Sequence, residues 1–343
     1  MRVGLVGAGA IARKHVEALT TRDGVEVASV CDHDAGRARD VAEPVDAAAY
    51  TEWQRMLASE QLDALFVCTP PAAHAAPTIA SLERGLPVYL EKPLARSLHD
   101  GDAILEAWRT SGTVCAVGYQ WRSLDLLAEV RRQLAGAAPG MLVSRSIAAT
   151  EAGRGDLQHA AEGPAGSWFV DPAQSGGILF ELGSHDIDLQ VAIAGPASSV
   201  QAFAAHGLLA LSGIPPRGLD DAVTAIIRFQ TGAIGAVHVA WTDVDRPPVH
   251  ELDVVAANAV MHLALDPAFH LTGRAQDRDV DETAQAEPRE SSISRFLDAV
   301  STGNQGDVAC SPDDALTTLA IALACERAVA TGQRVDLQPA NGV

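Results

Sequence analysis

The sequence predicts an α/β protein of two domains: one with a parallel sheet, then an α+β domain with a largely antiparallel sheet. Three observations carry this. The chain has 343 residues, about twice a typical domain. From Met1 to about Tyr119, apolar runs of strand length alternate with helical patterns, as in successive βαβ units. After residue 200, strand-like runs follow one another without long helices between them.

The first half is read as strands at Val3–Val6, Val25–Cys31, Leu62–Cys68, Val88–Leu90 and Val114–Val117. Between them, helices fit Ile11–Thr21, Thr51–Ala58, Ala72–Arg84 and Leu98–Ser111, with Thr51 and Ser97 as N-caps. The second half opens with a helix over Leu124–Leu134 and a strand near Met141–Ala148. A long loop containing Gly153, Gly155, Gly163, Pro164 and Gly166 follows, and loops of that length are usually functional. Strands are then expected at Val200–Ala205, Ala222–Phe229, Ile234–Trp241, Leu252–Ala257 and Val260–Leu265, before helices at Ile293–Ser301 and Asp313–Thr331. The division expected is 1–120 and 121–343.

Composition excludes several classes. With 48% hydrophobic and 20% charged residues the chain is too apolar for intrinsic disorder. Its 25 basic against 44 acidic residues give a net charge of −19, which repels nucleic acids and anionic membranes, so neither is an expected partner. Cys31, Cys68, Cys115, Cys310 and Cys325 form no metal or CxxC spacing. Reduced thiols, a cytoplasmic location and no metal are expected. Residues 2–12 imitate a secretory leader, but glycines at 4, 7 and 9 make a poor leader core, and no leader is expected. No run approaches the ~20 apolar residues of a membrane span.

Gly7-Ala8-Gly9-Ala10-Ile11-Ala12 lies directly after one strand and opens one helix, a G-x-G-x-x-A in a strand-turn-helix context. Gly7 permits the tight turn, Gly9 lets the backbone approach a diphosphate, and Ala12 allows close helix packing. The second strand ends in Cys31-Asp32, about 20 residues on, where a carboxylate accepts from adenosine ribose hydroxyls. Together these predict a Rossmann dinucleotide domain. Asp32, with no arginine immediately after it, favours NAD over NADP; Arg37 and Arg39 are assigned to a solvated helix face. Glu91-Lys92-Pro93 follows the Val88–Leu90 strand, at the sheet edge where open α/β folds bind ligands. There Lys92 is either a surface lysine before a proline turn or a donor to a substrate hydroxyl.

The segment from Gly176 to Val191 reads as one helix. At roughly 100° per residue from Ile178, Glu181, His185 and Asp188 fall between about 280° and 340°, flanked by two apolar arcs. Asp186 and Gln190 fall in the opposite, solvent-like gap. A partly withdrawn imidazole with two carboxylates is a hydrogen-bonded polar patch, or a site that meets a cation, with Lys92 the obvious one, or a hydroxylated ligand, or a metal held by Glu181 and His185 at i,i+4, for which no second histidine shares the turn.

These features together resemble the glucose-fructose oxidoreductase/inositol dehydrogenase/rhizopine catabolism (Gfo/Idh/MocA) family. The resemblance spans the glycine turn, Asp32, Cys68-Thr69-Pro70-Pro71-Ala72-Ala73-His74, Glu91-Lys92-Pro93, Gly118-Tyr119-Gln120, the Gly176 entry and Gly332-Gln333-Arg334-Val335. It implies catalysis by Lys92 and His185, with Glu181 and Asp188 at the family's D-x-x-x-H-x-x-D positions. It implies cofactor contacts from Gly7, Gly9, Ala10, Ile11, Asp32, Thr69, Pro70, His74, Glu91, Lys92 and Gln120. Substrate contacts would come from Lys92, Tyr119, Trp168, Glu181 and His185, with His159 and Trp121 shaping the pocket. The chain departs from the family in Glu181 for aspartate, in Pro71, and in Trp121 before Arg122. The implied activity is NAD-dependent oxidation of a secondary hydroxyl on a cyclitol, sugar or glycoside by a homodimer or homotetramer. Keto-sugar reduction, a non-catalytic sensor of the same fold and NAD-assisted hydrolysis are the alternatives.

Overall fold

The computed structural model describes residues 1–149, 168, 171–208, 219–242, 244, 247–266 and 268–337. His159 and the glycines of the expected long loop lie outside the described residues. The chain forms two compact units, Met1–Gln120 with Pro288–Leu316, and Trp121–Glu287 with Thr317–Val343.

The first unit holds a six-stranded parallel sheet in the order β3-β2-β1-β4-β5-β6. Its strands are β1 (Arg2–Val6), β2 (Glu26–Cys31), β3 (Ala48–Tyr50), β4 (Ala64–Val67), β5 (Val88–Leu90) and β6 (Cys115–Val117). This is the doubly wound dinucleotide order, with its switch point between β1 and β4. Val6 pairs with Cys31 and Val67, Val67 with Leu90, and Leu90 with Val117. Gly7, Asp32, Cys68, Glu91 and Gly118 therefore all leave the same carboxyl edge.

The helices of this unit include α1 (Ala10–Thr20), α2 (Ala35–Ala42), α3 (Trp53–Ser59), α4 (Ala75–Leu82) and α5 (Leu98–Ser111). Ser97 caps α5 by accepting from the Asp100 N–H, and Gly112 ends it at φ 64°. Thr51 does not cap α3, whose N-cap is Glu52 without a side-chain bond. The helix expected from Ala72 begins instead as a 3₁₀ turn at Pro71–Ala73. Helix α2 is the pattern in which Arg37 and Arg39 were placed, whereas β3 was not expected, being a short, exposed edge with little apolar signal.

Residues 288–316, assigned by linear division to the second domain, belong to the first unit. Helix α9 (Pro288–Thr302) places Phe296 against Phe66 and Tyr89, with ring centroids 5.6 and 5.5 Å away. The Tyr89 and Ser292 hydroxyls are 3.0 Å apart in the same core.

In the second unit nine strands run in the order β14-β13-β12-β11-β7-β10-β9-β8-β15. They are β7 (Pro139–Ala149), β8 (Ala197–Ala205), β9 (Ala222–Phe229), β10 (Ile234–Thr242), β11 (Val249–Ala256), β12 (Ala259–Asp266), β13 (His270–Ala275), β14 (Arg278–Thr283) and β15 (Val335–Asp336). All neighbours are antiparallel except β7 and β10. Val237, Val239, Leu252 and Val254 are buried on one face. Phe203, Ile226, Ile234, Met141 and Val260 are exposed along strands of the same sheet. The remaining helices are α6 (Asp125–Leu134), α7 (Pro172–Ser175), α8 (Ser184–Ala194) and α10 (Pro312–Thr331).

The expected helix over 176–191 runs continuously from residue 177 but is not regular throughout. Leu179–Gly183 is a π turn that leads into α8. A wider turn rotates each residue less, so the residues after it lag the regular 100° pattern. Asp186 and Gln190, expected toward solvent, are consequently buried. Gln190 donates to Ser144 Oγ at 2.8 Å and to the Ala236 carbonyl at 2.9 Å. Gly235 makes room for it, since a Cβ there would lie 2.2 Å from Gln190 Oε1.

Candidate active site

In the first unit the carboxyl edge of the sheet presents a dinucleotide cradle. Gly7 adopts φ +99°, and a Cβ on it would lie 2.4 Å from the Cys68 carbonyl oxygen. Gly9, the N-cap of α1, has open space where a Cβ would stand, and no side chain caps the helix. The first N–H groups of Ala10 and Ile11 are thus available to an anion. Thr69 Oγ1 is buried without a hydrogen-bond partner among the described residues, and Pro70 follows it at the same edge. These features fit a bound dinucleotide.

Asp32 is nearly buried. Its Oδ2 accepts from Ala8 N at 2.9 Å, and its Oδ1 from Asp34 N at 2.9 Å and Arg37 Nη2 at 2.6 Å. Arg37 is therefore not on a solvated face as expected. It sits in the first turn of α2, close enough in sequence to fold back on Asp32.

Two expected cofactor residues hold loops. His74 is buried, with Nδ1 2.9 Å from the Pro93 carbonyl and Nε2 2.9 Å from that of Thr69. It links the loops after β4 and β5, and burial lowers its pKa against those carbonyl contacts. Glu91 Oε1 bonds His15 Nε2 at 2.7 Å, and Oε2 accepts from Lys92 N at 3.1 Å. Burial raises the Glu91 pKa, but the His15 bond and the charges of His15 and Lys92 outweigh it, leaving it below the usual range. Sequence reading passed over His15; its position on the Ala12-Val16-Leu19 face of α1 was the available signal. Lys92 is partly buried on the turn that Glu91 holds, Tyr119 is buried, and Gln120 opens a 3₁₀ turn over Gln120–Ser123.

In the second unit Glu181 lies within the π turn, and His185 and Asp188 lie on α8. Glu181 and His185 are partly exposed, while Asp188 is buried. Asp188 Oδ2 accepts from Arg122 Nε at 2.8 Å and Oδ1 from Thr318 Oγ1 at 2.9 Å. Arg122 is thus a cation at Asp188 that sequence reading did not name as its partner. Trp121 packs on His185 with centroids 4.9 Å apart and approaches His250 at 5.6 Å. His250 Nδ1 is 3.0 Å from Ser146 Oγ. Burial pushes the Asp186 carboxyl up to about 8, partly opposed by the Ser146 hydroxyl. Burial lowers the His250 pKa, opposed by the charge of Asp266. Trp168 is partly buried ahead of α7, its carbonyl accepting from Asp171 N at 3.2 Å. Among the described residues no cluster of three His, Cys, Asp or Glu is arranged to hold a metal, and no helix is long and apolar enough to cross a membrane.

A family model described as an oxidoreductase family with an NAD-binding Rossmann fold matches residues 1–119, and the GFO/IDH/MocA C-terminal domain matches residues 141–261. The chain belongs to the Gfo/Idh/MocA family. Among relatives of this Gfo/Idh/MocA protein, the 4-carboxy-2-hydroxymuconate-6-semialdehyde dehydrogenase of Sphingobium sp. strain SYK-6 is 29% identical over 71% of this chain and 73% of its own length. The 1,5-anhydro-D-fructose reductase of Ensifer adhaerens is 26% identical over 98% of each chain. Inositol and glucoside dehydrogenases are further relatives. An Agrobacterium radiobacter oxidoreductase, solved with NAD⁺, L-tartaric acid and magnesium, shares the fold with a TM-score of 0.82 at 21% identity, covering 98% of each chain.

Proposed function

We propose that this Gfo/Idh/MocA protein is an NAD-dependent dehydrogenase that oxidises a secondary hydroxyl of a cyclic polyol: a cyclitol, sugar or glycoside. The observation that carries the reading is a partly exposed His185 whose ring is held by Trp121, on a helix anchored by the buried Arg122–Asp188 pair. A general base fixed in one orientation suits proton removal from a hydroxyl.

NAD, when bound, supplies the hydride acceptor. The backbone at Gly7, Gly9, Ala10 and Ile11 would hold its diphosphate and Asp32 its adenosine ribose, with Thr69, Pro70 and Gln120 beside it. His185 takes the hydroxyl proton, Lys92 stabilises the developing alkoxide, and Glu181 grips a neighbouring hydroxyl. His74 and Glu91 act by holding the loops around Lys92. Trp168 and Tyr119 remain proposed contributors to the substrate pocket.

The reductase of Ensifer adhaerens, matched over 98% of both chains, favours keto-sugar reduction as the second reading. A screen of cyclitols, sugars and glycosides with NAD, and of keto sugars with NADH, followed by nicotinamide absorbance, decides between them. Turnover of polyols supports the first, and turnover of keto sugars alone replaces it with the second. We further propose a homodimer or homotetramer, supported by the exposed Phe203, Ile226, Ile234 and Met141 of the second sheet.

A further inference from the structure

The Asp32 carboxylate is almost saturated by the protein's own donors. Each carboxylate oxygen offers two lone-pair positions. Oδ1 already accepts from Asp34 N and Arg37 Nη2, and Oδ2 from Ala8 N. A ribose diol held by both oxygens needs a free position on each. Arg37 therefore stands where one ribose hydroxyl would bond.

The guanidinium is itself incompletely used. Arg37 Nε is buried and has no hydrogen-bond partner among the described residues. The His33 ring lies against the same pair, 3.3 Å from Asp32 Oδ1 and 3.4 Å from Arg37 Nη2, and its side chain is 83% exposed. Asp34, the other carboxylate here, is engaged as the cap of α2 through Gly36 N and Arg37 N.

We propose that Arg37 makes this ribose site accept a 2′-phosphate as well as a 2′-hydroxyl. The inference rests on the dinucleotide reading above. A phosphomonoester offers the planar fork a partner for both Nε and Nη2, whereas the carboxylate engages Nη2 alone. Paired with Arg37, Asp32 no longer presents an uncompensated negative charge to that phosphate. A 2′-hydroxyl, by contrast, must displace the guanidinium to reach Oδ1.

The test is calorimetric titration of the full chain with NADH and with NADPH, which differ only in the 2′-phosphate. Wild-type protein should bind NADPH within about tenfold of NADH. Arg37→Met, at a side chain 28% exposed, should weaken NADPH by about ten- to a hundredfold while NADH holds or tightens. Arg37→Lys, which keeps the charge and loses the fork, should fall between. An unchanged ratio in Arg37→Met, or equal weakening of both ligands, overturns the role of Arg37 and leaves the dinucleotide reading standing. Failure of both ligands to bind wild-type protein overturns that reading and the inference with it.

Discussion

Trp121 and His185 pack with ring centroids 4.9 Å apart and planes tilted by 44°. The adjacent residue, Arg122, bonds Asp188, one helical turn beyond His185. One 3₁₀ turn, Gln120–Ser123, thus fixes both the ring of the proposed base and the helix that carries it. Trp121→Ala should lower kcat about two- to tenfold with the KM for NAD unchanged, and Trp121→Phe should recover part of it. Equal kcat in wild type and Trp121→Ala would show that the packing does not position His185.

His185→Ala should reduce kcat by about 10² to 10⁴ and remove the rise of oxidation rate with pH. NADH affinity should hold, because the glycine turn and Asp32 are untouched. Lys92→Ala should also depress kcat. A His185→Ala enzyme with the wild-type pH profile would make the helix a structural patch.

The Arg122–Asp188 pair is buried, with side chains 7% and 2% exposed. Arg122→Met takes the guanidinium away from a buried carboxylate and should cost about 3–5 kcal/mol. Adding Asp188→Asn removes that carboxylate's charge and should restore part of the loss. Urea denaturation of the two variants reads this; a double variant no more stable than Arg122→Met refutes it.

Asp186 makes stability fall as pH rises. Its carboxyl is pushed up to about 8, so from the unfolded value of ~3.9 up to there the folded chain holds a proton the unfolded chain has lost. His250 has the opposite sign: its pKa is lowered, so its contribution grows as pH rises toward ~6.5 and is complete above that. Between about pH 7 and 8 the Asp186 slope should therefore stand clear. Melting temperatures should decline across that window in wild type and less in Asp186→Asn; parallel slopes would remove Asp186 as the cause.

Light scattering over a concentration series should find a dimer or tetramer. Phe203→Asp, on a side chain 62% exposed, should shift it toward smaller species while melting temperature changes little. A wild-type monomer at all concentrations ends the proposal.

Much of the first unit was legible because its signals are local. Periodicity marks β1, α1, β2, β5 and α5, and the glycine turn must lie where a strand feeds a helix. Short, polar edges such as β3, β14 and β15 carry too little apolar pattern to be read. Glu181, His185 and Asp188 were singled out as a polar stripe, but the Arg122 and Thr318 partners of Asp188 were not. Arg122 lies 66 residues from Asp188 in sequence and Thr318 lies 130 away, separations across which no spacing rule operates.

By itself the sequence determined most of the segments that become strands and helices, where the glycine turn stands and which chemical groups are available. Those properties depend on backbone conformation and on neighbours within a few residues. Tertiary structure decided the rest. It placed α9 in the first core, turned Asp186 and Gln190 inward through one π turn, and brought Arg122 to Asp188 and Trp121 to His185. A helix phase shifts with a single wide turn, and a buried charge takes whichever partner the packed chain brings within reach. Both are settled only when the whole core closes, because the cost of leaving a polar group buried without a partner is felt only then.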